Sequence, residues 1–150
     1  MKKALIIVLC GIFLVAACNK EEEVSPPDPL NPNELRECFE DGSWDSTLIA
    51  QSLVGRWRWH HQTCWGPEQL EPGTDILVRF RENGTFLLAE EGNIKAEGEW
   101  RITIGTNNLF GCFTVPRENL ITGGVRFCED WLEFNQGAID GCNNFYYSLD

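Results

Sequence analysis

Apolar and polar residues alternate along Ala96–Ile104, with Ala96, Gly98, Trp100, Ile102 and Ile104 set against Glu97, Glu99, Arg101 and Thr103. Successive side chains on a strand point to opposite faces, so this run predicts a half-buried strand. The same period runs through 53–61, putting Trp57 and Trp59 on one face and Arg56, Arg58 and His60 on the other. It recurs at Ile76, Val78 and Phe80, continues over Phe86–Ala89, and returns at Leu109, Gly111, Phe113 and Val115, where Pro116 ends it. Leu120–Thr122 reads as a brief strand. Val125 and Phe127 share a parity with Trp131, while Leu132 and Phe134 take the other, which predicts a bulge or corner near Glu129–Asp130. Cys142–Leu149, carrying Phe145, Tyr146 and Tyr147, is the last strand.

Turn residues separate these runs. Asn83–Gly84 meets the positive-φ demand of a tight hairpin, and Gly66–Pro67, Pro72–Gly73, Gly92–Asn93 and Asn135–Gly137 mark other connections. Before the first strand, Asn33 reads as the N-cap of a short helix over Glu34–Phe39, and Ser46–Leu53 as a second helix. That second segment suits a plug at one end of a barrel, anchored by Trp44, Leu48 and Leu53. Seven or eight strands with short connections predict an all-β fold, a small antiparallel up-and-down β-barrel that removes its own edges. A sandwich is the alternative.

The first residues have another character. Met1-Lys2-Lys3 is positive, and Ala4–Ala17 is an uncharged, mostly apolar run too short to span a bilayer comfortably. Residues 1–17 therefore read as a signal peptide. Val15-Ala16-Ala17-Cys18 resembles the lipobox of bacterial lipoproteins, which implies diacylglycerol on the Cys18 sulfur and an acyl chain on its amine, a stable anchor. Residues 18–32 then form an acidic, proline-rich tether with Pro26, Pro27, Pro29 and Pro32, stiff and extended. Asn19-Lys20-Glu21-Glu22-Glu23 resembles the surface-export signal of Bacteroidetes lipoproteins, although such charges also simply keep a tether solvated. The expected location is the outer membrane, lipid-anchored, with exposure on the cell surface left open. Residues 33–150 form the barrel domain with its helical approach.

Of 12 basic residues, Lys2 and Lys3 leave with the signal, so 10 remain against 23 acids, a net charge near −13. Nucleic acid and anionic membrane surfaces want a positive footprint, so neither is expected as a partner of the domain. Cys38, Cys64, Cys112, Cys128 and Cys142 would lie in an oxidising compartment, and their odd number predicts two bridges and one thiol. Among several open arrangements, the strand order favours Cys112–Cys128 and Cys64–Cys142, leaving Cys38 over.

Leu53-Val54-Gly55-Arg56-Trp57, Phe80-Arg81-Glu82-Asn83-Gly84-Thr85-Phe86 and Gly98-Glu99-Trp100-Arg101-Ile102 together resemble the lipocalin-like lipoproteins of Bacteroidetes. Gly55-x-Trp57 is similar to the Gly-x-Trp of lipocalins, whose tryptophan packs across the closed end of the barrel. The resemblance covers roughly residues 50 to 149 and carries no assigned activity.

Trp57, Trp59, Phe80, Trp100 and Phe113 either line a pocket for a small apolar ligand or fill a solid core. A pocket would have its mouth at Trp65, the Gln62–Gly73 loop and the Gly92–Asn93 turn. No metal site is expected, because His60 and His61 would point to opposite faces, His60 outward and His61 to the rim or interior. No cofactor motif is present. Ser43, Ser46, Ser52 and Ser148 lack a nucleophile context, and Glu129-Asp130-Trp131 suits a sugar site no better than a surface turn, so no enzyme is expected. Two functions follow: a monomeric envelope lipoprotein binding a small apolar ligand, or a protein-interaction or structural module of the envelope with a filled core.

Overall fold

The computed structural model describes residues 25–28, 30–64, 73–105, 109–136 and 141–150. Two short helices, α1 (Pro32–Glu40) and α2 (Ser46–Leu53), precede eight strands. These are β1 (Gly55–Cys64), β2 (Ile76–Phe80), β3 (Thr85–Glu90), β4 (Asn93–Ile104), β5 (Phe110–Val115), β6 (Gly123–Cys128), β7 (Trp131–Asn135) and β8 (Cys142–Ser148). All pair antiparallel in sequence order, and β8 returns to β1 from Trp57↔Ser148 to Cys64↔Cys142, closing the barrel.

Alternation drives this closure. β2 buries Ile76, Val78 and Phe80, β3 buries Phe86 and Leu88, and β1 buries Trp57 and Trp59. Phe134 and Tyr146, both fully buried, come from β7 and β8 and meet edge to face at 5.6 Å. The Asn83–Gly84 hairpin forms as its sequence demands, with Gly84 at φ +78°.

Helix α2 closes the end of the barrel at which β1 begins. Ile49 and Leu53 enter the core, whereas Leu48, expected as an anchor, stays 44% exposed because it lies on the outer side of the helix. Trp57 fixes the joint by donating from Nε1 to the Leu53 carbonyl at 2.9 Å. At the opposite end Leu120–Thr122 is not a strand. Asn119–Ile121 is a 3-10 turn that drives Ile121 into the core, and Tyr146 donates its hydroxyl to the Leu120 carbonyl at 3.0 Å.

Helix α1 lies against the outside of the barrel. Its N-cap is Asn31 rather than Asn33, because Pro32 suits the first helical turn and Asn31 forms a reciprocal capping box with Glu34. Leu35 joins Cys128, Trp131, Phe145 and Tyr147 in a second apolar cluster on the outer face, with Leu30 and Leu149 at its margin. Trp131 also donates to the Asp28 carbonyl at 3.2 Å. The last residues of the expected tether thus pack on the barrel. The corner near Glu129–Asp130 is a tight turn separating β6 from β7, with Glu129 at φ +51°, and it resets the parity of the apolar residues.

The disulfides are Cys64–Cys142, as expected, and Cys38–Cys128. The expected Cys112–Cys128 bridge is absent. Cys112 faces the core and sits opposite Gly123 in the ladder, whereas Cys128 lies at the far end of β6 and faces outward under α1. Cys112 is the leftover thiol in place of Cys38, and burial pushes its pKa up to about 12. A chain starting at Ser25 should therefore react with a thiol reagent only when unfolded. One equivalent of labelling, placed on Cys112 by peptide mapping, checks this; rapid labelling of the folded protein would contradict it.

Candidate functional site

The described side chains inside the barrel point to a packed rather than an open core. Trp57, Trp59 and Phe80 point inward and are buried, and half-buried Trp100 packs edge to face on Phe80 at 5.6 Å. The Trp100 indole donates to the Arg81 and Thr85 carbonyls at 3.3 and 3.1 Å. Interior polar groups are paired with one another. The Thr114 and Thr122 hydroxyls lie 3.0 Å apart, and the Asn144 amide oxygen accepts from Trp59 Nε1 at 3.3 Å and Gln62 Nε2 at 3.1 Å. These side chains are the core.

Phe113, expected among them, is 48% exposed. On β5 the inward residues are Phe110, Cys112 and Thr114, so the apolar set Leu109, Gly111, Phe113 and Val115 does share a face, but the outer one. The expected mouth at Trp65 and the 62–73 loop falls mostly on residues 65–72, outside the described residues, as does the anchor Cys18.

One recess lies at the seam where β5 and β6 separate, between core residues (Phe110, Val125), Phe39 of α1 and the outward Leu109 and Phe113. These strands pair only at Gly111↔Gly124 and Cys112↔Gly123, then diverge. The groove encloses about 490 Å³, with Leu109, Phe110, Phe113 and Val125 as apolar walls and Arg117 and Arg126 at its margins. Gly105, Gly111, Gly123 and Gly124 are among its lining residues. Gly123 holds φ +134°, and a Cβ there would sit 2.6 Å from the Asn135 carbonyl oxygen, so no other residue fits. Gln136 braces the rim by donating to the Asn119 and Thr122 carbonyls. Arg126 donates to Glu133 Oε2 at 2.9 Å, and Asn135 donates to Glu133 Oε1 at 3.2 Å, which accounts for a carboxylate that is only 1% exposed.

A second recess lies beside Arg56, Arg79 and Arg81. Its cations face one another across Arg56↔Arg79, and the Asp150 carboxylate fills the gap, accepting from the Arg56 backbone N–H at 2.7 Å and from Nε at 2.9 Å. Burial opposes ionisation of Asp150, but the Arg56 hydrogen bonds and the charges of Arg56 and Arg79 hold its carboxyl below the usual range.

His60 and His61 do not point to opposite faces. A β-bulge between Trp59 and His61 turns both rings outward, where His60 meets Trp131 edge to face and His61 stacks on Phe145 at 4.4 Å. Their Nδ1 atoms lie 2.7 Å apart, so one must donate and the other accept. Among the described residues, no three His, Cys, Asp or Glu side chains gather as a metal site would need. Burial lowers the pKa of both rings, and for His61 the neighbouring His60 charge lowers it further. Because the folded form disfavours the imidazolium, stability is full above the ordinary value of 6.5 and falls as pH drops through the lower folded values. These are the only histidines in the chain, so replacing both with glutamine should flatten the decline in denaturant midpoint between about pH 6.5 and pH 5. An unchanged slope would assign it to carboxylates.

Comparison with family models, with curated proteins and with solved structures gives no match. What the geometry establishes is a closed, eight-stranded antiparallel β-barrel with two short N-terminal helices, consistent with the lipocalin-like fold family.

Proposed function

We propose that this chain is a protein-interaction or structural module of the cell envelope, anchored through lipid on Cys18, with a barrel that serves as a rigid body rather than a container. The observation that carries this reading is the packed interior: aromatic side chains occupy it, its polar groups bond to one another, and α2 and the 3-10 turn enter its two ends. A carrier needs an empty volume, and large aromatics packed inside a small barrel leave little room for one. A closed, two-bridge barrel beside its membrane anchor suits a scaffold whose outer surface does the work.

The test is native electrophoresis of gently solubilised envelopes. The anchored protein should migrate with an envelope partner, well above the mass of one chain, and Cys18→Ser should move it to the soluble fraction and dissolve that complex. Migration as a single chain in both forms would overturn the proposal. The second reading, binding of a small apolar ligand, finds its support at the β5–β6 seam.

A further inference from the structure

We infer that the groove at the β5–β6 seam binds a single-chain fatty acid, its acyl chain between the apolar walls and its carboxylate on Arg117. This goes beyond the scaffold reading and stands without it. The groove volume, about 490 Å³, falls within the range of small-ligand sites, and the walls are Leu109, Phe110, Phe113 and Val125. Leu109 and Phe113 are 61% and 48% exposed, a cost in apolar hydration that an acyl chain would relieve.

Charge selects the class of ligand. The chain carries 23 acidic residues against 12 basic ones, yet among the described residues that line the groove there are two arginines and no carboxylate. Arg117 is exposed and has no ion-pair partner among the described residues. Arg126 is oriented by Glu133, which takes one of its Nη groups, while a guanidinium offers five N–H donors. A guanidinium fork fits a carboxylate in bidentate fashion.

The test uses the full chain in phosphatidylcholine nanodiscs with a palmitate analogue bearing a diazirine on its chain. After irradiation, digestion and mass spectrometry, label should fall on the segments 109–113 and 123–126. Changing the probe's carboxylate to an alcohol should cut that label about tenfold, as should Arg117→Glu, the worth of one charge-assisted contact. Arg117 is a surface residue, so the variant is expected to fold, and unchanged thermal unfolding checks this. Equal labelling by acid and alcohol would mean an apolar face merely touching lipid, and would overturn the proposal. So would label confined to barrel-lining residues such as Trp59 and Phe134. A groove already covered by a second copy of the chain would give no label and a dimer in sedimentation, which would overturn it as well.

Discussion

Phe134→Ala should lower the unfolding free energy by about 3–5 kcal/mol. The ring is fully buried near the end of β7, where the backbone pairs with β6 at Val125 and with β8 at Asn144. Its neighbours are aromatic: Tyr146 edge to face at 5.6 Å and Phe80 tilted at 6.1 Å. Rings held this way on paired strands collapse poorly into a hole, so the cavity penalty adds to the lost transfer free energy. The variant should then gain an empty apolar volume at the position of the lost ring. Benzene or xenon should bind it and restore part of the lost stability, and should leave the unsubstituted protein unaffected. Urea unfolding with and without benzene measures both effects. A loss below about 1 kcal/mol would mean that the interior is loosely packed, and the filled-barrel reading of function would go with it.

The fold was legible in the sequence where one face of a strand is decisively more apolar than the other. β4 announces itself by strict alternation, and β1 by Trp57 and Trp59 set against Arg56 and Arg58. β5 shows the limit of that signal. Both of its parities are apolar enough to bury, and the better-looking one, with Leu109, Phe113 and Val115, faces solvent. The interior instead accepts Phe110, Cys112 and Thr114, the last because Thr122 supplies a hydroxyl partner that no local pattern reveals. That inversion also hid the pairing of the cysteines: once Cys112 faces inward and Cys128 outward, no bridge can join them. The bulge at His60 carries no glycine or proline to mark it, so the meeting of the two imidazoles was invisible in advance. For the groove one signal existed, the glycines at 111, 123 and 124, but their convergence on one seam is a matter of register, which only the closed ladder sets.

Removing the Cys38–Cys128 bridge, as Cys38→Ala with Cys128→Ala, should cost about 2–4 kcal/mol. The bridge spans 90 residues, so it restricts the unfolded chain about as strongly as Cys64–Cys142, which spans 78. The two should differ in where the loss appears. Cys64 and Cys142 face each other at the end of the β1–β8 ladder, and backbone pairing from Trp57 to Cys64 holds those strands without the sulfur link. Helix α1 has no such ladder. It is held to the barrel by Leu35 and Phe39, by Leu30 just before it, and by Cys38 itself. At nine residues it is too short to persist alone in water. Without its bridge, α1 should open on its own before the barrel unfolds, and amide exchange over residues 35–40 should accelerate far more than exchange in β1 or β8. Loss of the other bridge should spare those amides. If instead α1 exchanges at the same rate in both variants, Leu35 packing holds the helix and the disulfide acts only on the unfolded chain. That outcome would separate native-state docking from chain entropy, two contributions that a melting temperature alone reports as one number.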